Sequence, residues 1–278
     1  MKSKKVLYAA MTCLFMVYAL SLLLPFFYIL LNSFKTNAEF GVDAWALPQK
    51  LIKQGLFGNY TAAFKEWDIG SMFINSIVIT LGGTFFGVLS PTLVAYVLAK
   101  YKFRFNSLIF SIALVFMVLP DISSTVSTYK LMLKFDLINT YFGLFLLYAK
   151  PFTSHFFILY SFFLGISWSY AEAAFIDGAS DLEVCFKVML PQATAGILAI
   201  VVMQAISVYN DYFLPYMYMP NAFTVATGLQ NLSFNAQTTG AYVQMFSAII
   251  VTSVPVILLF ALMQKTIMNN VSMGGLKG

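Results

Sequence analysis

The sequence predicts an all-α integral membrane protein with about six transmembrane helices, and three observations predict it. Of its 278 residues, 60% are hydrophobic and 10% charged. A water-soluble domain carries about 25% charged residues, so a soluble surface could not be covered here. The apolar residues fall in long runs near the length of about 20 residues that a bilayer-crossing helix needs, not in a short-period pattern. The basic residues gather in the short segments flanking some of those runs, as in loops that orient a chain in its membrane.

The first run covers residues 6–31 and follows Met-Lys-Ser-Lys-Lys, which imitates a secretory signal. It exceeds the roughly 7–15-residue core of a cleavable signal and lacks a small-residue cleavage pattern, so it is kept as a spanning helix. The second, 72–98, lies in a charge-free stretch between Asp68 and Lys100. The third, 105–119, is short and ends at Pro120-Asp121. The fourth, 141–166, is interrupted by Lys150-Pro151, and the fifth and sixth are 193–217 and 242–263. Residues 1–278 thus read as a single membrane domain.

Lys2, Lys4 and Lys5 precede the first helix, and Lys100, Lys102 and Arg104 fill the tight loop between the second and third. By the excess of Lys and Arg on the inner side, both termini are expected in the cytoplasm. The longer opposite loop balances Lys35, Lys50, Lys53 and Lys65 with Glu39, Asp43, Glu66 and Asp68.

Several function classes are excluded. Net charge is +5, but the basic residues are dispersed and form no block for nucleic acid. Cys13 and Cys185 fit neither a metal motif nor a disulfide scaffold, and His155 is the one histidine, so no metal site is expected. No G-x-x-x-x-G-K-[ST] loop is present for nucleotide phosphates. A membrane-embedded enzyme would need a nucleophile–base pair or metal cluster, and a lone transporter several buried carboxylates or repeated halves; neither pattern occurs.

The inner segment 167–191 is unusual, carrying Glu172, Asp177, Asp181 and Glu183 against one Lys187 where basic residues normally gather. Ser169/Glu172 and Ser180/Glu183 each have the spacing of a capping box. Gly178 between them can adopt the left-handed conformation that closes a helix. Pro191 stops the second helix or marks the entry to the fifth run. The expected product is a short helix, a glycine turn and a second short helix. Its acidic character favours docking to a protein over lying on anionic lipid headgroups.

Glu172-Ala173-Ala174-x-x-Asp177-Gly178-Ala179, followed by Phe186 and Leu190-Pro191, resembles the EAA motif of ATP-binding-cassette importer permeases. Tyr209-Asn210-Asp211-Tyr212 resembles the W-N-[DE]-F stretch of the carbohydrate-type permeases, with Tyr for Trp. Leu137-Ile138-Asn139-Thr140-Tyr141 resembles their segment before helix four. Gln264-Lys265 … Gly274-Gly275-Leu276-Lys277-Gly278 is similar to the terminus of the maltose-type second permease. Ile166-Ser167-Trp168-Ser169-Tyr170 stands where the family's approach to the motif reads I-P-x-[ED]-L.

The resemblance implies the type I ABC importer permease fold in a bacterial cytoplasmic (inner) membrane. It implies half of the translocation pathway of an ATP-driven, binding-protein-dependent sugar or oligosaccharide importer. The implied partners are a second permease subunit, two ATP-binding subunits and an extracellular or periplasmic sugar-binding protein. ATP and Mg would be bound by the partners, with no cofactor and no catalysis in this chain. Glu172, Ala173, Ala174, Asp177, Gly178 and Ala179 would couple to the ATPase, with Lys277 and Gly278 as a tail reaching it.

Substrate-path candidates are Tyr209, Asn210, Asp211, Tyr212 and Lys150, since sugars need planar hydrogen-bonding groups and aromatic faces. Asp211 lies about 18 residues into the fifth run, roughly 27 Å along it at 1.5 Å per residue. It reads either as a functional intramembrane carboxylate or as a helix-bonded one near the outer face. Lys150 either binds an anionic sugar group or snorkels to headgroups, and His155 reads as a packing residue.

Overall fold

The structure, a computed structural model, describes residues 2–49, 58–119 and 124–273, and every regular element among them is helical. The helices are α1 (Lys2–Ser33), α2 (Asn37–Val42), α3 (Gly58–Glu66), α4 (Ile69–Lys100), α5 (Asn106–Val118), α6 (Thr125–Lys134) and α7 (Tyr141–Tyr148). They continue with α8 (Ser154–Gly165), α9 (Ser169–Ile176), α10 (Asp181–Gln192), α11 (Thr194–Asn210), α12 (Phe213–Tyr218), α13 (Val225–Thr239) and α14 (Tyr242–Met273).

Ala10–Ser33 and Ile69–Lys100 are each long and apolar enough to cross a membrane, with mean hydropathies of 2.4 and 1.8. Two bent pairs pass the same test, α8 with α9 at 70° and α10 with α11 at 78°, which raises the number among the described residues to four if each is one span. Asn106–Val118 and Tyr242–Leu258 are apolar but shorter. The expected fourth and fifth helices are both divided. Residues 149–153 separate α7 from α8 because Pro151 has no amide hydrogen to continue the ladder. Asp211 and Tyr212 separate α11 from α12, where Pro215 has no amide to donate to the Asp211 carbonyl and its ring crowds it. The expected Lys277-Gly278 tail and the Pro120-Asp121 stop lie outside the described residues.

Two compact units divide the chain, one of residues 1–70 with 228–261 and one of 71–227 with the end of α14. In the first, a polar knot follows α1. The Lys35 side chain is 1% exposed and donates to the carbonyls of Asp43 (3.0 Å) and Ala44 (2.8 Å). Asn59 donates to the Ser33 and Lys35 carbonyls, both at 2.9 Å. Burial lowers the Lys35 pKa, opposed by Asp43 and Glu39. Carbonyl partners make this buried ammonium tolerable, because an unpaired one would carry its full desolvation cost.

The second unit holds two apolar clusters. One gathers Tyr96 and Leu98 of α4, Phe156, Leu159 and Phe163 of α8, Ala171 of α9, Val184, Cys185 and Met189 of α10, and Ile200 of α11. The other gathers Ile79 of α4, Met132 of α6, Leu144 and Tyr148 of α7, Val208 of α11 and Tyr218 of α12. Between α4 and α7 the approach is close: a Cβ at Gly83 would meet the Tyr148 ring at 2.7 Å. Such small positions let apolar helices pack without a water-driven force between them.

Candidate functional site

Residues 167–192 fold into α9, a glycine turn and α10. The turn is a Schellman closure: the Gly178 amide donates to the Phe175 carbonyl and the Ala179 amide to that of Ala174, both at 3.0 Å. Gly178 has φ of 86°, which only glycine adopts without a Cβ penalty. A Cβ there would meet nothing within 4 Å, so backbone conformation alone demands the glycine.

The second capping box forms. Ser180 Oγ accepts from the Glu183 amide while Glu183 accepts from the Ser180 amide at 3.1 Å. Lys187 donates to Glu183 at 2.8 Å, and this bond together with the two from Ser180 lowers the Glu183 pKa to about 2. The first box does not form. Trp168 takes the cap position of α9 with no side-chain hydrogen bond, and Ser169 becomes the first helical residue. The Trp168 ring lies edge-on to Tyr101 (5.6 Å) and tilted against Phe175 (6.1 Å), while the Ser169 hydroxyl lies 2.8 Å from that of Ser167.

One face of this segment is fastened to the unit. Ala171, Val184, Cys185 and Met189 lie in the apolar cluster. Tyr101, just beyond α4, donates to Asp181 at 2.9 Å, its hydroxyl 3.2 Å from that of Tyr96. Lys100 donates to the Ile166 carbonyl at the end of α8. The other face is open: Glu172, Ala173, Asp177 and Gly178 are exposed, Ala174 and Ala179 half-buried. Tyr170, Ile176, Leu182 and Phe186 also leave apolar side chains uncovered, Ile176 by 86%.

Within α10, Val184–Met189 is π-helical, with the Leu190 amide donating to the Cys185 carbonyl. Pro191 follows directly. Its ring crowds the carbonyl four residues back and it cannot donate, so the widened turn removes a clash that an α-turn would carry.

At the far end of α11 the two helix breaks meet. Asp211 Oδ1 accepts from the amides of Phe213 (2.8 Å) and Leu214 (3.2 Å), while Oδ2 accepts from the Tyr148 hydroxyl at 2.8 Å. This carboxylate therefore caps α12 and ties it to α7. Beside it is a pocket of about 260 Å³ lined by Ser124, Thr125 and Thr128 of α6 and its cap, Leu147, Lys150, Asp211, Phe213, Leu214 and Tyr218.

The structure thus brings together Lys150 and Asp211, from breaks that are 61 residues apart in sequence. Tyr209, Asn210 and Tyr212 do not line that pocket. Tyr209 is half-buried, Asn210 donates to the Ile206 carbonyl at 2.8 Å, and Tyr212 is exposed. Sequence reasoning missed Thr125, Thr128 and Phe213 in the pocket and Tyr101 at the inner segment. The hydroxyl-bearing start of α6 was the available signal for the first two. Among the described residues, no group of three or more His, Cys, Asp or Glu is placed to hold a metal ion.

Comparison with known proteins agrees with this architecture. The family model described as "Binding-protein-dependent transport system inner membrane component" matches residues 87–271. The diacetylchitobiose uptake system permease protein NgcG of Streptomyces coelicolor is 31% identical over 266 residues, covering 94% of this chain and 86% of that protein. The arabinooligosaccharides transport system permease protein AraQ of Bacillus subtilis is 28% identical over 276 residues, covering 97% and 95%. The melibiose/raffinose/stachyose import permease protein MelC of the same organism is 23% identical over 269 residues, 96% of each chain. The fold is similar to a chain in the crystal structure of a bacterial ABC transporter involved in the import of the acidic polysaccharide alginate. That likeness has a TM-score of 0.73 at 23% identity, covering 95% of this chain and 98% of the other. With its helical architecture, the match across two-thirds of its length and relatives that align end to end, the chain belongs to the ABC importer permeases, the inner membrane components of binding-protein-dependent transport systems.

Proposed function

We propose that this chain is the transmembrane subunit of an ATP-driven importer of sugars or oligosaccharides, forming half of the translocation pathway. The inner segment carries the reading. One face of α9 and α10 is locked into the apolar cluster, while the other offers Glu172, Asp177 and Gly178 among uncovered Ile176, Leu182 and Phe186. An apolar patch rimmed by polar groups is the signature of a protein contact. The partner proposed for it is an ATP-binding subunit, with Glu172, Ala173, Ala174, Asp177, Gly178 and Ala179 as the coupling residues and Lys277 and Gly278 as a tail. Relatives named for diacetylchitobiose, arabinooligosaccharides and raffinose support the sugar class.

The full assembly on this reading adds a second permease, a second ATP-binding subunit and a soluble sugar-binding protein outside the membrane. Both termini and residues 167–191 face the cytoplasm. ATP and Mg are bound by the partners, and this chain contributes neither cofactor nor catalysis. ATP binding then shifts a two-state equilibrium of the membrane helices through the coupling contact.

The test is co-purification of the tagged protein from its native membrane, with an ATPase assay on the product. An ATP-binding subunit and a second permease are expected to come down together, and Gly178→Asp is expected to release the ATPase while the chain stays inserted. Recovery of the chain alone without ATPase activity, or normal sugar uptake by Gly178→Asp, overturns the reading.

A further inference from the structure

We propose that the pocket between α6 and the two helix breaks is a subsite for one neutral sugar ring, and that Asp211 positions its wall instead of binding the ring. The proposal rests on the importer reading and gives it a location in this chain.

Size is the first argument. The pocket holds about 260 Å³, just under the range of about 300–1,000 Å³ for pockets that enclose drug-sized ligands. That is room for a single sugar ring.

Chemistry is the second. Thr125 and Thr128 each bring a hydroxyl that donates and accepts, as a sugar hydroxyl requires. Phe213 is 44% exposed and lines the same space, so the apolar C–H face of a pyranose or furanose has an aromatic surface to cover. Lys150 and Asp211 contribute one positive and one negative charge to the lining. Formal charge cancels, which favours a neutral ring over a uronate or an amino sugar.

Asp211 lines the pocket, but most of its acceptor capacity is taken by its own bonds. Both of its oxygens are engaged, by two amides and the Tyr148 hydroxyl. An ionised carboxylate accepts at about four lone-pair sites, so three are taken. The carboxylate therefore holds α12, and with it Phe213 and Leu214, against α7.

The experiment uses the intact transporter complex carrying Leu147→Cys, a lining position with no polar group for the ring, with maleimide alkylation at that position read by mass spectrometry. Galactose, arabinose and N-acetylglucosamine are the neutral probes, and glucuronate and glucosamine the charged ones. At least one neutral probe is expected to slow alkylation several-fold while the charged ones do not. Adding Phe213→Ala is expected to abolish the protection, whereas adding Asp211→Asn, which keeps the cap acceptor, retains it. Absence of protection by every neutral probe overturns the subsite, as does protection by a charged probe alone. ATPase co-purification in the same preparation keeps the two readings apart: an intact, ATP-hydrolysing complex without protection removes the subsite and leaves the importer standing.

Discussion

Single side chains set how firmly the α9–α10 hairpin is held. Tyr101 bonds to Asp181 at 2.9 Å and packs edge-on to Trp168 at 5.6 Å, so it fastens both helices of the hairpin at once. Burial, the Tyr96 and Asp181 hydrogen bonds and the Asp181 charge push its pKa well above the ordinary tyrosine value, keeping it a donor at physiological pH. Tyr101→Phe keeps the ring and removes two hydrogen bonds, the one to the Asp181 carboxylate contributing about 1.5 kcal/mol. We expect fewer sugars carried per ATP with the ATPase still bound, measured in vesicles; an unchanged ratio would show that the ring alone suffices. Gly178 separates backbone demand from contact: Gly178→Val carries a left-handed penalty of about 1–2 kcal/mol, whereas Gly178→Asn, better tolerated there, should retain more coupling. Glu183 has a depressed pKa, from 4.5 to about 2. Its contribution is fully present above 4.5 and lost only as pH falls through 2, so between pH 5 and 8 the second cap should show no titration in carboxyl-resolved NMR. The glycine turn and the Ser180 cap were legible because backbone sterics and a three-residue reach are local. The Ser169 cap lost to a local rival, the Ser167 hydroxyl, which lies 2.8 Å from that of Ser169 and accepts from its amide.

At the scale of elements, apolar run length marked α4 well, since a bilayer-length stretch between charges leaves few alternatives. The break at 149–153 was legible through Pro151. The break at Asp211 carries a signal of the same kind, Pro215, which has no amide to donate to the Asp211 carbonyl and crowds it; what the sequence did not show is that Asp211 then turns its carboxylate to the amides of Phe213 and Leu214. The π-helical turn at Val184–Met189 was hidden, although Pro191, which cannot donate to the carbonyl four residues back, stands just after it. Pro191→Ala restores a donor and removes the ring clash, so α10 is expected to tighten toward α-geometry and alter the 78° bend to α11. Spin labels at Leu182 and Ile206, both exposed, would report this as a changed distance. An unaltered distance would mean that the apolar cluster, and not the proline, sets the bend.

For the molecule as a transporter, the arrangement within residues 71–227 matters more than any one helix. The inner segment joins α11 at Ala193, and the Asp211 break ends it. At 1.5 Å per residue, the 17 residues of α11 separate them by about 25 Å. Each end is anchored in a different apolar cluster, Ile200 in one and Val208 in the other. A displacement of α10 at one end would reach the pocket wall through this continuous hydrogen-bonded rod. Sequence alone could order these parts along the chain but could not show that α6, α7 and α12 converge where the rod stops, because their contacts are long-range side-chain packing. If α11 transmits the motion, softening it must reduce coupling without harming either end. Ala199 is exposed on the rod, away from both clusters. Ala199→Gly weakens the helix locally by about 1 kcal/mol while leaving Gly178 and Thr128 untouched. The expected outcome is normal ATPase binding and normal sugar protection at the pocket, with a lower yield of sugar per ATP. An unchanged yield would mean that the signal travels through α4, whose Tyr96 and Ile79 also join the two clusters, and the same substitution logic would then move to that helix.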